Sequence, residues 1–152
     1  MNAELPAAET LASFLRQALA ATGRVRLRLQ GHSMTPTLPP DCEIEVMPLT
    51  GPAPLGALVV FVADGRLMAH RLVRRADDRW VTQGDGCSLP DAPLAADQII
   101  GVVAAAYRGG RRCWPGPGER WLAQFWLGRH HARRALRRLR NIKGSHDSNT
   151  HL

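Results

Sequence analysis

Four side chains in this sequence have the types and settings that nucleophilic catalysis needs: Ser33, His70, Asp85 and Asp91. A hydroxyl attacks a carbonyl only when a base takes its proton and donors stabilise the oxyanion that forms. Ser33 lies in QGHSMTPTLPPD, residues 30–41, two positions after Gly31 and just ahead of Pro36, Pro39 and Pro40. A glycine lets the backbone come close to a substrate, and a turn there can aim free N–H groups into a site. Prolines fix φ and stiffen the chain around them, so the segment is a plausible mount for a nucleophile. His70 lies in MAHRLV, where strand alternation puts Met68, His70 and Leu72 on one face and Ala69, Arg71 and Val73 on the other. Asp85 and Asp91 lie in QGDGCSLPD, a polar loop after the next strand, and either carboxylate could fix the tautomer of an imidazole. Each residue alone has a plainer reading, a turn serine or a satisfied core histidine; their combination carries the chemical one.

The elements that must position them change period along the chain. In AAETLASFLRQALAATG, Leu11, Phe14, Leu15, Ala18 and Leu19 recur at helical spacing and predict a packing helix, with Gly23 as its stop. Then RVRLRLQ alternates Val25, Leu27 and Leu29 against Arg24, Arg26 and Arg28, a half-buried strand with a basic outer face. EIEVM alternates likewise, and GALVVFVA is apolar enough for a strand buried on both faces. Asp64-Gly65 predicts a hairpin into RLMAHRLVRR, Asp77-Asp78 a turn into RWVTQG, and DQIIGVVAAAYRG a further strand or two joined. Strands at short spacing with turns between them predict a mainly β fold: a coiled antiparallel sheet or partly open β-barrel, with an N-terminal helix and a basic C-terminal amphipathic helix. The absence of strand–helix alternation disfavours a doubly wound sheet. The expected organisation is a packing helix over 1–23, a β domain over 24–111, a Pro/Gly linker over 112–118, a basic helix over 119–143 and a disordered tail over 144–152.

Charge and composition narrow the partners. The chain has 152 residues and a net charge of +7. Residues 1–118 hold 12 basic against 11 acidic side chains, while residues 119–152 hold 8 against 2. A near-neutral body argues against a body-wide nucleic-acid surface and for a basic appendage. Apolar runs fall short of the ~20 residues of a membrane span, and the acidic N-terminus does not read as a secretory signal. The expected location is cytoplasmic, with peripheral contact to the inner membrane face. Cys42, Cys87 and Cys113 are widely spaced and read as free thiols, with no metal and no cofactor expected.

Taken in order, GHSMTPTL, GALVVF, MAHRLV, TQGDGCSLPD and QIIGVV resemble the signal-peptidase and repressor-self-cleavage superfamily of serine peptidases. The resemblance covers about residues 24–107. The Ser-Met-x-Pro-Thr-Leu box is its most specific element. Where the bacterial leader-peptidase branch has a lysine, this chain has His70-Arg71, similar to the branch typical of the endoplasmic reticulum and archaea. The resemblance implies Ser33 as nucleophile, His70 as general base and Asp91 as its orienter, with Asp85 as a supporting or substitute carboxylate. It implies an oxyanion and substrate-binding region at Gly31, Ser33 and Met34, and a precursor bound as an extended strand. The chain departs from the family in having an amphipathic front helix instead of a membrane anchor. This points to a maturation protease that trims a leader or propeptide from a cytoplasmic precursor. The repressor branch fits less well, because it uses lysine and carries a DNA-binding domain that residues 1–23 are too short to form. The alternative is a non-catalytic peptide-binding or membrane-surface module that keeps the fold, and a third reading is a basic regulator acting through its tail.

In that tail, Leu122, Phe125, Trp126, Ala132, Leu136 and Leu139 lie roughly on one side of the expected helix and arginines crowd the rest. This suits a helix lying on an anionic membrane surface, where each basic residue contributes about 1 kcal/mol. It also suits a helix packing its aromatics on the body, with RNA or an acidic partner as a third option.

Overall fold

The computed structural model describes residues 8–146 apart from residue 77. Helix α1 (Ala8–Thr22) precedes eight strands and helix α2 (Glu119–His146) follows them. The strands are β1 (Val25–Arg28), β2 (Glu43–Met47), β3 (Leu58–Ala63), β4 (Arg66–Ala76), β5 (Arg79–Gln83), β6 (Leu94–Ala95), β7 (Ile99–Arg108) and β8 (Arg111–Trp114). They form one antiparallel sheet in the order β1-β2-β7-β3-β4-β5-β6, with β8 also on β7. The end strands do not pair, so the sheet is open, at the open end of the sheet-or-barrel expectation.

Turn chemistry sets the register. Asp64 and Gly65 both have positive φ, 51° and 71°, as a tight hairpin with the right-handed strand twist requires. That turn pairs Ala63 with Arg66 and so places Val59 opposite His70. β3 is buried over Leu58–Phe61, as its continuous apolar run predicts. One cluster joins α1 (Leu15, Leu19) to Met34, Leu38, Ile44, Val46, Val60 and Val103. A second gathers Val59, Phe61, Leu72, Trp80, Leu94 and Ile99.

Four expectations need correction. Phe14 is exposed: α1 faces the sheet with Leu11, Ala12, Leu15 and Leu19, and Arg16 donates to the carbonyls of Ile99 and Asp97 at the margin. The expected linker starts too early, because Gly109-Gly110, both at positive φ, turn the chain back and Cys113 and Trp114 belong to β8. α2 runs on to His146, into the segment expected to be disordered; residues 147–152, residues 1–7 and half of the Asp77-Asp78 turn lie outside the described residues.

The fourth correction concerns the orientation of α2. Of the six apolar residues expected on one side, only Trp126 turns toward the body; Leu122, Phe125, Ala132, Leu136 and Leu139 are exposed. The inner side instead carries Ala123, Leu127, His130, Arg133 and Arg134. The contact is close: a Cβ at Gly56, which has φ +93°, would lie 3.2 Å from the Ala123 Cβ. Leu127 packs with Val73 and Val81. No helix among the described residues is long and apolar enough to cross a membrane.

Candidate active site

Ser33 sits in the crossing between β1 and β2, on a turn closed by Thr35 N–H to His32 O and Leu38 N–H to Met34 O, both 3.0 Å. Met34 and Leu38 are buried in the first core cluster, and these two anchors pull the turn down onto the sheet. Gly31, at φ +87°, is exposed with open space around it. The Met34 side chain is core, so what Met34 can offer a substrate-binding region is its backbone. What the turn leaves free is backbone: among the described residues, neither Ser33 nor Met34 gives its N–H to a backbone carbonyl.

His70 stands on β4, 2% exposed, with the ring of Phe61 edge-on at 5.9 Å between centroids. Its Nε2 lies 3.0 Å from Ser33 Oγ, across 37 residues of sequence, and its Nδ1 lies 2.7 Å from Asp91 Oδ2. With the carboxylate ionised, Nδ1–H donates to Asp91, which leaves Nε2 with a lone pair to accept the Ser33 proton. Asp91 is held in turn: its N–H donates to Thr82 O at 2.9 Å, and Thr82 Oγ1 donates to its Oδ2 at 2.7 Å. Ser33 is half-buried, so the hydroxyl end of this chain of hydrogen bonds is open while the imidazole is enclosed.

Asp85 does not join that chain. The resemblance implies a supporting or substitute carboxylate for the imidazole, yet both ring nitrogens of His70 are taken by Ser33 and Asp91. The Asp85 carboxylate instead receives Arg71 Nε at 2.9 Å and Nη2 at 2.7 Å, and Thr37 Oγ1 donates to it as well. Arg71 is fully buried, and its Nη1 reaches Gly56 O at 2.8 Å and Glu119 Oε1 at 3.2 Å. Burial opposes the arginine's charge, but the hydrogen bonds and charges of Asp85 and Glu119 outweigh it and raise its pKa. Asp85 thus acts one step away from the imidazole, tying the serine turn (through Thr37) to the loop that ends in Asp91.

Two glycines flank Asp85 for a steric reason absent from the sequence expectations. Gly86 N–H donates to Ser33 O at 2.8 Å, so the loop lies directly against the serine backbone. A Cβ at Gly84 would sit 2.5 Å from Ser33 O and 3.1 Å from His70 Nε2. A Cβ at Gly86 would sit 2.9 Å from Thr35 O. The Gly-Asp-Gly spacing was the available signal: glycine on both sides of one acid marks backbone packed against backbone. α2 buttresses the same loop, with Arg129 donating to Asp85 O at 3.3 Å and Arg137 to Ser88 O at 2.9 Å.

The structure therefore brings together Ser33, His70 and Asp91, places Gly31 and the Met34 backbone beside them, and sets Asp85 behind. Cys42, Cys87 and Cys113 are free, and burial, followed for Cys87 by the nearby Asp91 charge, pushes the Cys42 and Cys87 thiols up. No protein-family model matches this chain, and no curated protein sequence matches it.

Proposed function

We propose that this protein is a serine endopeptidase of the signal-peptidase-like type that removes a leader or propeptide from a precursor by acyl transfer. The single observation that carries the reading is the hydrogen-bonded row Ser33 Oγ–His70 Nε2 and His70 Nδ1–Asp91 Oδ2, at 3.0 and 2.7 Å. These distances lie within proton-transfer reach. His70 takes the Ser33 proton as Oγ attacks the peptide carbonyl carbon, and Asp91 stabilises the imidazolium that forms. The free N–H groups of Ser33 and Met34 are the candidate donors to the oxyanion. His70 then protonates the leaving amine, and a water activated by the same imidazole releases the acyl group. β1 is an edge strand that leads toward Ser33, so an extended precursor segment can add alongside it.

Incubation of the full chain with a library of extended peptides, read by mass spectrometry, tests the reaction. Cleavage that disappears in Ser33→Ala supports it. Cleavage that persists in Ser33→Ala, or an intact library with folded wild type, contradicts it.

One observation favours an anionic membrane surface as the place of action. Trp121, Leu122, Phe125, Leu136 and Leu139 are exposed along the outer side of α2, and exposed Arg120, Arg138 and Arg140 flank them. An apolar stripe with basic edges binds reversibly at a lipid interface. Co-sedimentation with anionic vesicles should fall strongly in Trp121→Glu/Phe125→Glu; equal pelleting of variant and wild type removes this placement.

A further inference from the structure

The inner side of α2 holds more positive charge than its contacts with the body use. Arg133 Nη1 reaches Cys87 O at 3.4 Å and Arg137 Nη2 reaches Ser88 O at 2.9 Å. Between these two arginines and β4–β5 lies a cavity of about 150 Å³ whose wall also carries Arg74, His130 and Arg134. Among the described residues, no acidic side chain pairs with any of the four guanidiniums, and Arg74 and Arg134 make no hydrogen bond to the body.

His130 is the second, independent sign. Its side chain is 6% exposed, its Nδ1 bonds Gln83 Oε1 at 2.8 Å, and its Nε2 is buried without a hydrogen-bond partner. Gln83 Nε2 already donates to Cys87 O, so Gln83 presents its oxygen and His130 Nδ1 must be the donor. In the neutral ring Nε2 is then a buried lone pair that no donor meets; once protonated it becomes a further donor, but among like charges. Burial, then His131, Arg74, Arg134 and Arg137, hold its pKa below the usual imidazole value. An oxyanion in the cavity offsets the crowded cations, accepts from the guanidiniums and, by favouring the protonated ring, gains Nε2–H as a further donor. The volume is well below the roughly 300 Å³ of ordinary small-molecule pockets, so the occupant is small.

We propose that this cleft between α2 and the 83–90 loop binds a phosphate-class oxyanion, held by Arg74, Arg134 and His130 with Arg133 and Arg137 closing it. The site lies behind the loop that carries Asp91 and is separate from Ser33, so it does not depend on the peptidase reading. A bound oxyanion would strengthen the seating of α2 on that loop, because Arg133 and Arg137 touch both.

Calorimetric titration of the full chain with inorganic phosphate, against chloride at matched ionic strength, tests the site. Saturable phosphate binding and a rise in Tm are expected for the wild type. Arg74→Gln/Arg134→Gln should weaken binding at least tenfold, and His130→Gln several-fold, with circular dichroism unchanged. Vesicles containing phosphatidic acid identify the source. Displacement from them by free phosphate, lost in the arginine double variant, assigns a lipid headgroup; phosphate binding without that competition assigns a soluble phosphate. No saturable phosphate binding by the folded wild type, or equal affinity in the double variant, overturns the proposal.

Discussion

His70 and Arg71 are neighbours on β4, point to opposite faces of the strand, and each meets an aspartate from the same loop. His70–Asp91 is a single hydrogen bond of 2.7 Å beside a half-open serine, with Asp91 itself partly solvated. Arg71–Asp85 is a forked ion pair, almost wholly buried, with a second carboxylate from α2. The first pair leaves one imidazole nitrogen available for proton transfer. In the second every guanidinium nitrogen is engaged, by Asp85, Gly56 or Glu119, and the pair joins the serine turn, the β4 strand, the loop and α2 at one point. Asp85 and Asp91 lie six positions apart in one loop, and the difference between them lies in which partner each meets across the sheet.

The two pairs should fail differently. Asp91→Asn removes the charge that fixes the tautomer and stabilises the imidazolium, so turnover of a cleaved peptide should fall by about 10⁴-fold with the melting temperature nearly unchanged. Asp85→Ala leaves Arg71 buried with only Glu119 for compensation. Urea unfolding should show a loss of about 3–5 kcal/mol, and activity should fall only as the folded fraction falls or the serine turn shifts. A variant pair with the reverse pattern, an unstable Asp91→Asn and a stable but inactive Asp85→Ala, would exchange the two roles.

A smaller effect sharpens the comparison on the α2 side. The His130 pKa is lowered in the folded protein, first by burial and then by His131 and the surrounding arginines. The unfolded chain therefore takes up this proton first as pH falls, so stability is full above the ordinary imidazole value and declines below about pH 6.5. In phosphate-free buffer the wild type should lose a few degrees of Tm from about pH 7.5 to about pH 5.5, and His130→Gln should shrink that loss. An identical pH dependence in the two proteins would mean that His130 is as easily protonated folded as unfolded.

The parts of the fold that periodicity governs were legible. The alternation of β1, the apolar run of β3, the Asp64-Gly65 hairpin and the face of β4 that carries His70 each follow from local pattern. Contacts across the sheet were not. Arg71 reads as an ordinary outward residue until α2 covers that face and Asp85 rises to meet it. The arginines of α2 look like a solvated side because their acceptors, the carbonyls of residues 85–88, have no signature in sequence. The Gly109-Gly110 turn was visible, but the short β8 after it has no alternation to mark it as a strand. Only the family resemblance separates Asp91 from Asp85 in the sequence, since composition and periodicity treat them alike; the distances that separate them exist only once β5 and the loop are folded against β4.

The central claim is that Ser33 is a nucleophile activated by His70. A fluorophosphonate serine probe tests it most directly, with the modified residue located by peptide mass spectrometry. A single adduct on Ser33 in the wild type, absent in Ser33→Ala and lost or greatly slowed in folded His70→Ala, is the expected result. An adduct elsewhere, labelling undiminished in His70→Ala, or no labelling of folded wild type across a range of pH would contradict the account.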